Sequence, residues 1–133
     1  MSISIQTQFT GTTSLKVTPF HERTSALNQS QEWRRWSGYL SATAYDLTHD
    51  VEYYSIRTKA ALLDITPLHK YIIEGSEAGI FLDRLVTRNI KVCKVGQVVY
   101  TPWCDEDGKQ IDDGTVQRLS ENRFRLTSAE PNM

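Results

Sequence analysis

A chain of 133 residues and 15.2 kDa has room for one ordinary domain, and two full domains would be cramped. Hydrophobic residues make up 39%, and Leu, Ile, Val and Phe number 32 of 133, which excludes a disordered chain. Fifteen basic against sixteen acidic residues leave a formal charge of -1, too little to draw the chain onto nucleic acid or an anionic membrane.

Met1 to Leu15 holds no Lys or Arg and no apolar run of leader length, and no apolar stretch approaches the ~18 residues of a membrane-spanning helix. Cys93 and Cys104 are separated by ten intervening residues with no second pair, so neither a disulfide framework nor a structural metal site is expected. A reduced, cytoplasmic setting is the expectation.

Residues 1–44 carry 8 of the 32 Leu, Ile, Val and Phe, which places the core in the remainder. Residues 1–17 read as a mobile tail, and Pro19 to Thr43, with Trp33, Trp36 and Tyr39 among polar residues, as a peripheral covering piece. Thr48 is an expected N-cap for a helix running to Ala61, with Val51, Tyr54, Ala61 and Leu62 on one face. Leu68 to Ile73 reads as a strand closed by Gly75. Ser76 is then expected to cap a second helix whose apolar face is Ile80, Phe81, Leu85 and Val86.

Beyond Gly96 the pattern becomes strand-like. Val98 to Trp103, Ile111 to Arg118 and Arg123 to Thr127 are separated by the turns Asp105-Glu106-Asp107-Gly108 and Ser120-Glu121-Asn122, which predicts a three-strand antiparallel meander. Parallel strands would need crossover helices where only short turns stand, so the expected class is α+β with flanking helices.

Candidate chemistry centres on Asp112-Asp113, because Asp is depleted in strands and two in succession is locally unfavourable. Neighbours in a strand point to opposite faces, so the two cannot share a proton; one is free to face a ligand while the other serves structure. The plainer alternative puts both at a solvated hairpin end. A calcium loop starting at Asp105 fails, since Gln110 and Val116 occupy the positions that require Gly and Glu. His21, His49 and His69 fall in different elements and read as surface or satisfied histidines, and Lys91, Lys94 and Lys109 as solvated charges. Tyr100 and Trp103 are candidates either for a flat-ligand pocket or for plain sheet core.

Several stretches together resemble the front of the aminomethyltransferase family, the glycine cleavage system T-protein and its relatives. They are Thr18-Pro19-Phe20-His21-Glu22, Tyr53 to Ile65, Ile73-Glu74-Gly75, Phe81 to Ile90, Gly96 to Pro102, Asp107 to Asp113 and Phe124-Arg125-Leu126. The resemblance implies the N-terminal part of a three-domain fold that binds tetrahydrofolate between its domains and transfers a one-carbon unit. It implies residues 18–66 as the first part of an interrupted folate-binding domain and 67–133 as most of a second α+β domain, with the later domains absent. It assigns Asp112 a catalytic role at the folate nitrogen, Tyr100, Asp112 and Leu68 to folate contact, and Asp113 to a structural role. A lipoyl carrier protein and a C-terminal portion are the implied partners, alongside folate itself, and the part present here is expected to be inactive alone.

The chain departs from the T-protein pattern with Thr66-Pro67-Leu68 where Ser-His-Met is usual and with Gly114 where Leu follows the Asp pair. Those departures leave two alternatives beside aminomethyl transfer: demethylation of an N-, S- or O-methyl donor onto tetrahydrofolate, and a noncatalytic binding or assembly module on the same scaffold.

Overall fold

The computed structural model describes residues 15–129. The first described elements form a small sheet of strands β1 (Lys16–Val17), β2 (Trp33–Trp36) and β3 (Tyr39–Ala42), in the order β1-β3-β2. Strands β2 and β3 are a hairpin turned by Ser37 and Gly38, both at positive φ, the conformation that two-residue hairpin loops demand. Lys16–Val17 therefore belong to a strand rather than to the expected tail, of which residues 1–14 lie outside the described residues. Strand β1 runs parallel to β3, a pairing the expected antiparallel pattern did not contain. The intervening helix α1 (His21–Thr24) and the β2–β3 hairpin supply the crossover.

Helix α2 (His49–Thr58) follows the predicted start, but Lys59 leaves the helical conformation and ends it three residues before Ala61. No residue of α2 is buried.

The second sheet has strands β4 (His69–Glu74), β5 (Val98–Cys104), β6 (Gln110–Ser120) and β7 (Arg123–Ser128), in the order β4-β7-β6-β5 and antiparallel throughout. The meander is as the turn chemistry predicts; β4 adds a fourth strand along β7. The class is α+β, with antiparallel sheets and short helices.

Helix α3 (Ala78–Leu85) lies over one face of this sheet, and Ala78, Leu82 and Val86 join Ile90, Trp103, Val116, Phe124 and Leu126 in the core. The predicted face of α3 is wrong at three of four positions: Ile80, Phe81 and Leu85 are exposed, and only Val86 is buried. The cause is size. Ala78 and Gly79 let the helix approach Phe124, whose ring would lie 3.5 Å from a Cβ at Gly79, and the i, i+4, i+8 row from Ala78 then turns inward. Ser76 does not cap α3 either; Glu77 holds that position, without a side-chain hydrogen bond.

Serine 37 Oγ donates to the Ala129 carbonyl at 2.9 Å, tying the small sheet to the end of β7. Both cysteines are free, and the described residues hold no group of three or more metal-ligating side chains. Among them no helix is long and apolar enough to cross a membrane.

Candidate functional site

Cross-strand register fixes which side chains share a face of the larger sheet, because paired residues point the same way and neighbours along a strand point opposite ways. Trp103 pairs with Asp112, Thr101 with Gly114, and Val99 with Val116. Trp103, Thr101 and Val116 are buried, so this is the face that α3 covers, and Asp112 belongs to it. Pro102 pairs with Asp113 and Tyr100 with Thr115, on the outer face.

A bulge immediately precedes the Asp pair. Cys104 pairs with Gln110 and Trp103 with Asp112, leaving Ile111 as the extra residue on β6 immediately before the Asp pair. The bulge lies outside the unbroken register from Val98 to Trp103, so the alternation Asp112, Gly114, Val116 is what turns Asp112 toward the helix. Hydrogen bonds explain how two aspartates are accommodated in a strand. Asp112 Oδ1 accepts the Asp113 backbone N–H at 2.8 Å, and the Asp113 side chain is held from across the sheet.

That second interaction lies on the outer face. The Tyr100 hydroxyl donates to Asp113 Oδ2 at 2.6 Å, along the diagonal between β5 and β6. This hydrogen bond, then burial and the aspartate's charge, holds the phenol pKa above its usual value, so Tyr100 remains a donor well into the alkaline range. Arg88 Nε donates to the Tyr100 carbonyl at 3.1 Å, and Arg88 N–H to Thr101 Oγ1 at 3.2 Å, which fixes the edge strand β5 under the tyrosine.

The three residues assigned to folate contact are thus not brought together. Tyr100 and Asp112 stand on opposite faces of one sheet, while Tyr100 and Asp113, the aspartate expected to be structural, stand on the same face in direct contact. Leu68 is half-buried in the turn before β4, with β7 and β6 between it and β5, about 14 Å at the usual strand spacing. Its turn is well held: Lys70 Nζ donates to the carbonyls of Ile65, Thr66 and Leu68 at 2.6, 3.1 and 2.6 Å. Beside it, burial pushes the Asp64 carboxyl up, but hydrogen bonds from Thr66 and Thr18 outweigh it and leave the group below its ordinary range.

Two further expectations need correction. Lys91 is not merely solvated, since its Nζ lies 3.1 Å from Asp83 Oδ2, and Asp83 Oδ1 also accepts the Ile90 N–H at 2.8 Å. His69 is not satisfied among the described residues: its Nε2 is buried and has no hydrogen-bond partner there. The His21 ring lies tilted against Trp33 at 5.0 Å between centroids, and His49 is exposed.

The family described as the GCVT N-terminal domain matches residues 19–133. The chain belongs to that family. Among curated relatives it is 35% identical over 111 residues to a trimethylamine-oxide aldolase from Ruegeria pomeroyi, covering 83% of this chain and 14% of the relative. It is 39% identical over 75 residues to an aminomethyltransferase from Clostridium botulinum, covering 56% of this chain and 20% of that one. Among solved structures, the glycine cleavage system aminomethyltransferase T from Bartonella henselae superposes with a TM-score of 0.75 at 28% identity, over 86% of this chain and 31% of that protein. The chain therefore spans a fifth or less of the curated relatives it matches and under a third of the solved one.

Proposed function

We propose that this chain supplies one wall of a tetrahydrofolate-dependent one-carbon transfer site, and that the wall is the outer face of the larger sheet. The observation that carries this reading is the Tyr100–Asp113 hydrogen bond at 2.6 Å on an exposed, partly apolar surface that also presents Ile72 and Val98. Such a surface fits a flat aromatic ligand bearing an amine: the tyrosine and aliphatic side chains offer contact area, and the carboxylate offers a proton acceptor.

Tetrahydrofolate would supply the secondary amine that gives or takes the one-carbon unit. Tyr100 occupies one Asp113 oxygen and orients the carboxylate, which leaves Oδ1 to accept the amine proton, a general-base or electrostatic role. Asp112, on the covered face and bonded to the strand's own backbone, is the positioning partner in this reading. It takes the structural role, and Asp113 takes the catalytic one.

Membership of the family supports folate chemistry in general. The donor is a separate matter. Aminomethyl transfer from a lipoyl carrier is supported by the aminomethyltransferase relatives. The N-methyl branch is supported by the longer match, over 83% of this chain, to an enzyme named for trimethylamine oxide. The longer match favours an N-methylated donor.

The test is a chimera in which residues 15–129 replace the matching part of the Bartonella protein, assayed for tetrahydrofolate-dependent turnover with aminomethyl and N-methyl donors. Asp113→Asn should lower turnover by a hundredfold or so, the scale of a lost general base, and Asp112→Asn by much less. Equal losses, or a larger loss at Asp112, would refute the assignment, and turnover independent of folate would refute the function.

A further inference from the structure

The turn that enters β4 is organised around one charge. Lys70 Nζ donates to the carbonyls of Ile65, Thr66 and Leu68 at 2.6, 3.1 and 2.6 Å, so the backbone takes all three of its donors. No carboxylate lies within ion-pair distance of this ammonium among the described residues. Carbonyl dipoles that converge on one point repel one another, and a cation between them turns that repulsion into attraction.

The carbonyls are also held by contacts that do not involve Lys70. Pro67 is fully buried, the Leu68 N–H donates to the Ile65 carbonyl at 3.1 Å, and the Thr66 N–H donates to Asp64 Oδ1 at 2.9 Å. Packing and hydrogen bonds thus shape the turn from one side, and the ammonium fills it from the other.

We propose that residues 65–68 form a binding site for a small monovalent cation, and that Lys70 occupies it with an ammonium tethered to the chain. Three neutral oxygens suit an ammonium or potassium ion, because backbone carbonyls can stand in for its hydration shell. They do not suit calcium, which takes about six oxygens or more, carboxylates among them. The carboxylate at hand, Asp64, is engaged by the Thr66 N–H. Removing the Lys70 charge and leaving the carbonyls should therefore make the order of this turn depend on a cation from solution.

NMR on the full 133-residue chain tests this in two ways. In the parent, the Lys70 ammonium should give a signal protected from exchange with water; one that exchanges as fast as that of exposed Lys94 overturns the proposal. This reading needs no variant, so it stands whether or not a variant folds. In Lys70→Met, amide exchange at Thr66 and Leu68 should quicken about tenfold, and potassium or methylammonium chloride should recover about threefold or more of the protection. Tetramethylammonium chloride at equal ionic strength, too bulky for the site, should recover none, and the parent should respond to no added cation. Protection that survives Lys70→Met, that no small cation restores, or that tetramethylammonium restores equally well overturns the proposal.

Discussion

Substituting Gly114 tests the strand register on which the site assignment rests. Gly114 pairs with Thr101 on one side and Ser128 on the other, and its φ is unexceptional. The constraint is contact. A Cβ built there would fall inside the contact distance of the Thr127 carbonyl oxygen, 3.0 Å from its carbonyl carbon and 3.4 Å from Ser128 Cα. Backbone cannot swing aside like a side chain, so Gly114→Ala must push β6 and β7 apart locally. About two ladder hydrogen bonds at ~1 kcal/mol each would weaken, with overpacking strain of ~1–3 kcal/mol. Reduced freedom of the unfolded chain returns up to ~1 kcal/mol. The expected net loss is about 3 kcal/mol, or roughly 1.5 M in the urea midpoint for a slope near 2 kcal/mol/M. Gly114→Leu, with a larger side chain at the same place, should cost more. Equilibrium urea unfolding followed by circular dichroism measures both. A midpoint within about 0.3 M of the parent for Gly114→Leu would mean that β6 is in a different register and that Asp112 and Asp113 exchange faces.

Other consequences are simpler. Leu82→Ala should cost ~2–5 kcal/mol because Leu82 is fully buried, whereas Phe81→Ala, on the exposed side of α3, should lie within about 1 kcal/mol of the parent; thermal unfolding compares them. The Lys91 hydrogen bond, then the Ile90 backbone N–H, holds the Asp83 carboxyl below its ordinary value, so the unfolded chain binds the proton more readily. Its contribution is present at neutral pH and lost as pH falls below about 4; Asp83→Asn should flatten that acid limb in midpoints measured from pH 6 to pH 2.5.

Much of the larger sheet was legible because turns carry their own chemistry. Asp105-Glu106-Asp107-Gly108 and Glu121-Asn122 marked both hairpins of the meander to within a residue or two. The face of α3 was not legible, since Ile80, Phe81, Leu82, Leu85 and Val86 leave apolar side chains around most of the helix. Ala78 and Gly79, small enough to admit Phe124, were the signal that chose the face. At the candidate site, alternation correctly separated Asp112 from Asp113, but which face was covered became plain only with Val116, on the Asp112 side, packed in the core. The spacing of Tyr100 and Asp113 becomes informative only once the hairpin register is known. It then places them on a cross-strand diagonal, within reach of a hydrogen bond.

The most direct test of the central claim is to titrate tetrahydrofolate into the isotopically labelled full chain and map the perturbed resonances by NMR. Perturbations should gather on the outer face, at the Tyr100 ring, the amides of Tyr100 and Thr115, that of Arg125, which pairs with Ile72 on the same face, and the Asp113 carboxyl, and Asp113→Asn should abolish them. Perturbations centred instead on the Trp103, Asp112 and α3 side, or none at millimolar ligand, would contradict the account.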